Sequence, residues 1–207
     1  MAVMPMFPLG SVLLPGGVLP LHVFEPRYRA LVQACIESDD HEFGTVLIEQ
    51  GHEVGGGDRR RQVGTVARIV KVAELPDGRY GVVAVGTHRV RVRAWLPDDP
   101  YPMADVDDWP DEQPDAAELA TMVDELTPRV RRAAALAVEL GDPVGDPNHD
   151  ISDDPLVASY HLAALAPLST VDRYDLLCAT GPAARLRLLS ERLDDVETLL
   201  QIRLGAS

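Results

Sequence analysis

Apolar positions in the first half of the chain change their period at Pro26. Large and β-branched side chains crowd residues 18–24 after a Pro15-Gly16-Gly17 turn, which is strand composition, and residues 11–14 before the turn read the same way. Pro26 suits the first turn of a helix, and Tyr28, Leu31, Val32, Cys35 and Ile36 then recur at i, i+3, i+4, i+7 and i+8, so one face of that helix is apolar. Residues 45–48, 64–75, 79–85 and 88–95 return to strand patterns, with Pro76-Asp77-Gly78 as a turn between two of them. Five or more short strands with one early helix predict a small barrel.

Beyond residue 114 the period is helical. Asp115 and Glu118 have the spacing of a capping box, and Leu119, Met122, Val123, Leu126 and Val130 follow on one face. Pro128 is expected to kink or divide that helix. Residues 141–154, loaded with Asp, Pro and Gly, read as a loop, and 155–166, 169–179 and 182–204 read as three more helices. The expected division is therefore a β-barrel over residues 1–114 and an α-helical subdomain over 115–207.

Breakers decide the status of the apolar N-terminal run. Pro5, Pro8, Pro15 and Pro20, with Gly10, Gly16 and Gly17, interrupt every helix long enough to span a bilayer, and no Lys or Arg precedes Arg27 to form the basic region of a signal peptide. The run is expected to stay in the mature, cytoplasmic protein, with Cys35 and Cys178 as reduced thiols.

Charge sharpens this picture in two places. A net charge of −14 argues against broad affinity for nucleic acid or anionic membranes. The distribution is uneven: Arg59 to Arg93 form a basic island, whereas residues 98–118 are acidic and Pro-rich without a single cation, the composition of a connector between modules. Within the island, Arg89, Arg91 and Arg93 alternate with Val90 and Val92 and so share one strand face. That row is a solvated face, a partner of the acidic stretch, or a site for RNA phosphates. Gly55-Gly56-Gly57-Asp58 ahead of Arg59, Arg60 and Arg61 has the donors of an anion cradle and equally the composition of a solvated loop, which is the reading favoured here.

Reaction chemistry is not visible. Lys71 is the only lysine and lies in a strand pattern, so no phosphate-binding loop of the G-x-x-x-x-G-K-[ST] type exists. His41-Glu42 and His52-Glu53 begin H-E-x-x-H, but Thr45 and Gly56 stand where the second imidazole is needed. No cofactor and no metal site is expected. Leu186, Leu189, Leu193, Val196 and Leu200 form a seam, expected to pack inside the chain's own bundle rather than on a partner helix.

PLGSVLLPGGVLPLHVFEPRYRALVQAC, followed by VGTVARIVKVAELPDGRYGVVAVGTHRVRV and by the helical LAPLSTVDRYDLLCATGPAARLRLLSERLDDVETLL, resembles the N-terminal substrate-binding domain of Lon ATP-dependent proteases. The resemblance implies an α+β fold, a PUA-like β-barrel with an early helix followed by an α-helical bundle subdomain, and recognition of protein clients. It implies neither the ATPase nor the Ser-Lys peptidase that Lon carries downstream. The chain is accordingly read as a stand-alone, non-enzymatic relative that binds unfolded or extended protein segments, an adaptor or regulator whose proteolysis is done by a partner. Candidate peptide contacts are Leu14, Val18, Leu19, Phe24 and Tyr28, where sheet and first helix meet. RNA binding through Arg59, Arg60, Arg61, Arg89, Arg91 and Arg93 is the alternative.

Overall fold

A computed structural model describes residues 2–50, 59–113 and 115–205. The chain separates into two compact units, Met1–Pro110 and Asp111–Ser207.

The first unit holds six strands and one helix among the described residues: β1 (Ala2–Leu9), β2 (Val18–Val23), α1 (Pro26–Glu37), β3 (Glu42–Gln50), β4 (Arg59–Glu74), β5 (Tyr80–Trp95) and β6 (Met103–Asp108). They form one sheet in the order β2-β5-β4-β3-β1-β6, and β5 pairs back onto β6. The length of β5 makes this possible, because Tyr80–Val85 pairs with β2 while Val90–Trp95 pairs with β6. One end of the barrel is thus a closed ring. At the other end no strand joins β2 to β1 among the described residues.

Two cores follow from this uneven closure. Met6, Val46, Val66, Val90, Val92, Ala104 and Val106 fill the closed end. At the open end Phe7, Leu9, Leu19, Val23, Phe43, Val82 and Ala84 pack with Tyr28, Leu31, Val32 and Cys35 from α1, which plugs the gap. Each large apolar side chain so buried contributes about 1.5–3 kcal/mol.

Several sequence expectations change here. Residues 11–14 are not a strand: Leu13 and Leu14 are buried in a turn that docks on β5, with Gly16 N donating to Gly86 O at 2.8 Å and Gly86 N to Gly17 O at 2.9 Å. Gly86 permits this approach, since a Cβ there would lie 2.5 Å from the Leu14 carbonyl oxygen. The two expected strands 79–85 and 88–95 are one continuous β5. The acidic stretch is not wholly a connector, because Met103–Asp108 is a strand paired with β1 and β5. β1 itself hides behind Pro5 and Pro8. Among the described residues 2–5 pair with β6 and 6–9 with β3, Met6 N also donating to the Pro102 carbonyl at the changeover, so Pro5 and Pro8 each sit where one side of β1 is unpaired and a missing N–H is tolerated.

The second unit holds four helices among the described residues: α2 (Ala116–Glu139), α3 (Pro155–Leu165), α4 (Thr170–Leu177) and α5 (Pro182–Gly205). Asp115 accepts from the N–H groups of Ala117 and Glu118, Asp154 from Leu156 and Ser169 from Asp172, so each of three helices starts on a side-chain cap. Pro128 does not divide α2. It removes one donor to the Asp124 carbonyl, and both residues lie on the exposed side of the helix, where losing that bond costs least. Leu119, Leu126 and Val130 of α2 and Leu186, Leu189, Leu193 and Leu200 of α5 are buried as the two helices pack within the unit, which satisfies the seam internally.

Candidate functional site

The flank that the barrel leaves open carries a cleft of about 240 Å3, lined by Phe7 and Leu9 from β1, residues 20–23 of β2, and Phe24, Glu25 and Tyr28 at the start of α1. Its floor is rigid: Phe7 stacks on Tyr28 with ring centroids 4.1 Å apart and 12° between planes, and Phe43 backs Phe7 at 6.0 Å. The three phenylalanines of the chain therefore stand in or behind this one cleft. Its mouth is polar. Arg27 lies 4.4 Å over the Tyr28 ring and donates from Nε to Glu25 at 3.1 Å.

The five candidate contacts fall into two groups. Leu14, Leu19 and Tyr28 are core side chains, although the Tyr28 ring also lines the cleft. Val18 is 66% exposed and Phe24 52% exposed, large apolar groups that the protein leaves in water on the same flank. The alternation of β2 explains the split: Leu19 and Val23 face inward, whereas Val18, Pro20 and His22 face outward. Sequence reasoning missed Phe7 and Leu9 because β1 has no alternation and contains two prolines.

The arginines of the basic island find partners within their own unit. Arg89 is only 2% exposed, with its guanidinium 4.5 Å from the Trp109 ring centroid, and Arg91 lies 4.4 Å from the same ring. Arg93 meets Asp107 at 3.6 Å, Arg60 donates to both Asp98 oxygens at 3.4 and 2.9 Å and covers Trp95, and Arg59 and Arg61 reach Glu49. Of the readings open for the row, pairing with the acidic stretch is the one adopted, so the geometry does not favour RNA binding. The glycines of the proposed anion cradle, 55–57, and Asp58 lie outside the described residues.

Other reactive groups are placed for structure. Cys35 donates from Sγ to the Glu42 carbonyl, and burial pushes its thiol pKa up to about 12, which removes the thiolate. His41 contacts the Cys35 carbonyl through Nδ1 at 2.9 Å. Lys71 is an exposed residue of β4. Among the described residues no group of three or more His, Cys, Asp or Glu side chains has the arrangement to hold a metal ion, and no helix is long and apolar enough to cross a membrane.

The six-stranded sheet closed unevenly into a barrel and the five helices found among the described residues form the α+β architecture of Lon N-terminal domains. The chain belongs to the ATP-dependent protease La (LON) substrate-binding domain family, whose family model matches residues 3–195. It is similar to the solved Lon N-terminal domain protein from Xanthomonas campestris, with 29% identity and a TM-score of 0.64 over 92% of this chain and 98% of that one. The N-terminal domain of a Mycobacterium avium complex Lon protease shares the fold at 19% identity, with a TM-score of 0.65 over 94% and 99% of the two chains. Among curated relatives, Lon protease 2 of Myxococcus xanthus is 30% identical over 97% of this chain, and Lon protease 2 of Sorangium cellulosum is 31% identical over 89%. The chain spans only 24% of the length of either relative. The matched domain is a substrate-binding module and not the catalytic protease domain.

Proposed function

We propose that this chain binds unfolded or extended protein segments through the open flank of its barrel and performs no catalytic step of its own. The observation that carries this reading is the aromatic-floored cleft between β1 and β2, beside two large apolar side chains, Val18 and Phe24, held exposed. An unfolded segment differs from a folded protein in offering large apolar side chains to solvent, and a cleft of this size accepts one such side chain at a time. Pro20 supports side-chain capture over strand addition, because it removes a backbone donor from the middle of β2, the strand at the free edge of the sheet. Leu14 and Leu19 act by holding β2 in place, Tyr28 forms the floor, and Val18 and Phe24 make the contact.

In this reading the barrel, residues 1–114, recognises the client, the helical subdomain 115–207 adjoins it in the chain, and a cytoplasmic protease acts on what is delivered. The chain is then an adaptor or regulator. Retention of a permanently unfolded polypeptide, reduced and alkylated, on the immobilised full chain tests the core of the proposal. Strong retention is expected for the natural sequence and loss for Phe24→Asp and Val18→Asp. Equal retention by both variants would place the contact elsewhere, and cleavage of the client by the chain alone would remove the non-enzymatic reading. A change in the rate at which a Lon-type protease degrades that client would support the adaptor role.

A further inference from the structure

The helical unit carries a cleft of its own, about 380 Å3, lined by Asp142, Gly145, Leu168, Ser169 and Arg173 among others. The charges in it are unequal. Asp142 is gripped by Arg203 through two bonds of 2.6 and 3.0 Å, and this pairing holds its carboxyl below the usual range, so its charge is already matched.

Arg173 has no such match. Its Nη2 donates to the backbone carbonyls of Ala166 at 3.2 Å and Ala164 at 3.5 Å at the end of α3, and no carboxylate among the described residues pairs with it. Its Nε is enclosed and has no hydrogen-bond partner. Burial lowers the pKa of this guanidinium, which nonetheless stays charged in any protein environment. A half-buried cation beside a cavity, with its Nε and Nη1 donors unused, lacks a negative partner.

We propose that this cleft is a carboxylate-binding site in which Arg173 forms the ion pair. Nη2 is held by the α3 carbonyls and Nε is enclosed, so Nη1, which makes no hydrogen bond among the described residues, is the nitrogen left to donate to a carboxylate oxygen. One unmatched positive charge balances one negative charge. A phosphate dianion would leave an excess in a unit that has many more carboxylates than arginines and no lysine, which decides the ligand class. The source is either the free C-terminus of a polypeptide or a small organic acid.

Nuclear magnetic resonance on the full chain tests this directly, because the Arg173 Nε–H signal reports on the charge placed against the guanidinium. The probes are acetate, inorganic phosphate, and one short peptide prepared with a free C-terminal carboxylate and again as the C-terminal amide. A saturable shift of that signal is expected with acetate and with the free-acid peptide, and none with the amide. Tighter binding of the peptide assigns the site to chain termini, and equal binding assigns it to small carboxylates; both support the site. A shift caused equally by the amide, a shift with phosphate alone, or no saturable shift overturns it. Arg173→Gln is expected to abolish acetate binding, as read from the Ser169 backbone N–H. Because Arg173 also holds the end of α3, Gly145→Asp is the second variant: a Cβ there meets only Leu165 Cδ1 at 3.9 Å, so the fold is kept while the cleft gains a carboxylate of its own. Loss of acetate binding with an unchanged circular dichroism spectrum is expected, and an unchanged acetate shift would defeat the proposal.

Discussion

Arg185 is fully buried and donates from Nη2 to Asp111 Oδ1 at 2.7 Å. Around this pair, Tyr160 OH donates to Asp111 Oδ2 at 2.7 Å, Arg185 Nη1 to Ser159 Oγ at 2.8 Å and Arg185 Nε to the Leu176 carbonyl at 3.3 Å, with the Tyr160 ring 3.6 Å from the guanidinium carbon. The chain segment leading into α2 is thereby tied to α3, α4 and α5 within one unit. Removing one partner leaves a buried charge uncompensated, so Asp111→Ala is expected to cost about 3–5 kcal/mol. The double variant Arg185→Met with Asp111→Ala is expected to recover part of that loss, and urea unfolding of the three proteins measures both.

The turn between β4 and β5 depends on Gly78, which has φ of 76° and lies against the Arg29 guanidinium. An L side chain in this left-handed region costs about 1–2 kcal/mol. Gly78→Ala is expected to lose roughly that much, while Gly78→Asn, which tolerates the region better, is expected to lose less; thermal unfolding distinguishes them.

His161 gives the helical unit a pH dependence. Its Nδ1 accepts from the Ser152 N–H at 3.3 Å, and burial, with a smaller contribution from the charge of His149, whose ring lies 6.0 Å away, holds its pKa below the ordinary histidine value. A histidine with a depressed folded pKa binds its proton more readily when unfolded. Its contribution is therefore fully present above about pH 6.5, the unfolded value, and is lost as pH falls from there toward the folded pKa. Stability is expected to decline over that window in the natural chain and more weakly in His161→Gln, as followed by urea midpoints across the acid range.

Lys71 guards an edge. Among the described residues β4 beyond Ile69 pairs only with β5, and exposed Val70 (59%) and Val72 (38%) flank the lysine at a register shift. A charged residue and an irregularity on a free strand edge oppose pairing between molecules. Lys71→Val is expected to raise self-association with little change in secondary structure, and light scattering over a concentration series reports it. Concentration-independent scattering from the variant would show that the edge is protected by other means.

Local order was readable from residues near one another in the chain. α1, with Pro26 in its first turn and Tyr28, Leu31, Val32 and Cys35 on its buried face, could be found because 3.6-residue periodicity and helix-start signals are carried within a dozen positions. The same holds for α3, α4 and α5, and for the capping role of Asp115. β1 and β6 were not readable. Pro5 and Pro8 look like breakers until it is known that each half of β1 has one bonded side, and Asp105, Asp107 and Asp108 look like a linker until Arg91 and Arg93 of β5 come to lie beside them.

The division at the candidate cleft has the same cause. The amino-acid sequence by itself determined that Leu14, Val18, Leu19, Phe24 and Tyr28 are large, apolar and close to the junction of sheet and helix. Only the tertiary structure decided that Leu14, Leu19 and Tyr28 are buried while Val18 and Phe24 stay in water, and that Phe7 and Leu9 complete the cleft. Strand pairing joins residues dozens of positions apart, so the free energy that fixes which face is buried belongs to contacts no local window contains. Helices keep their hydrogen bonds within the segment; a sheet edge, and the cleft beside it, exists only once every other strand has found its neighbour.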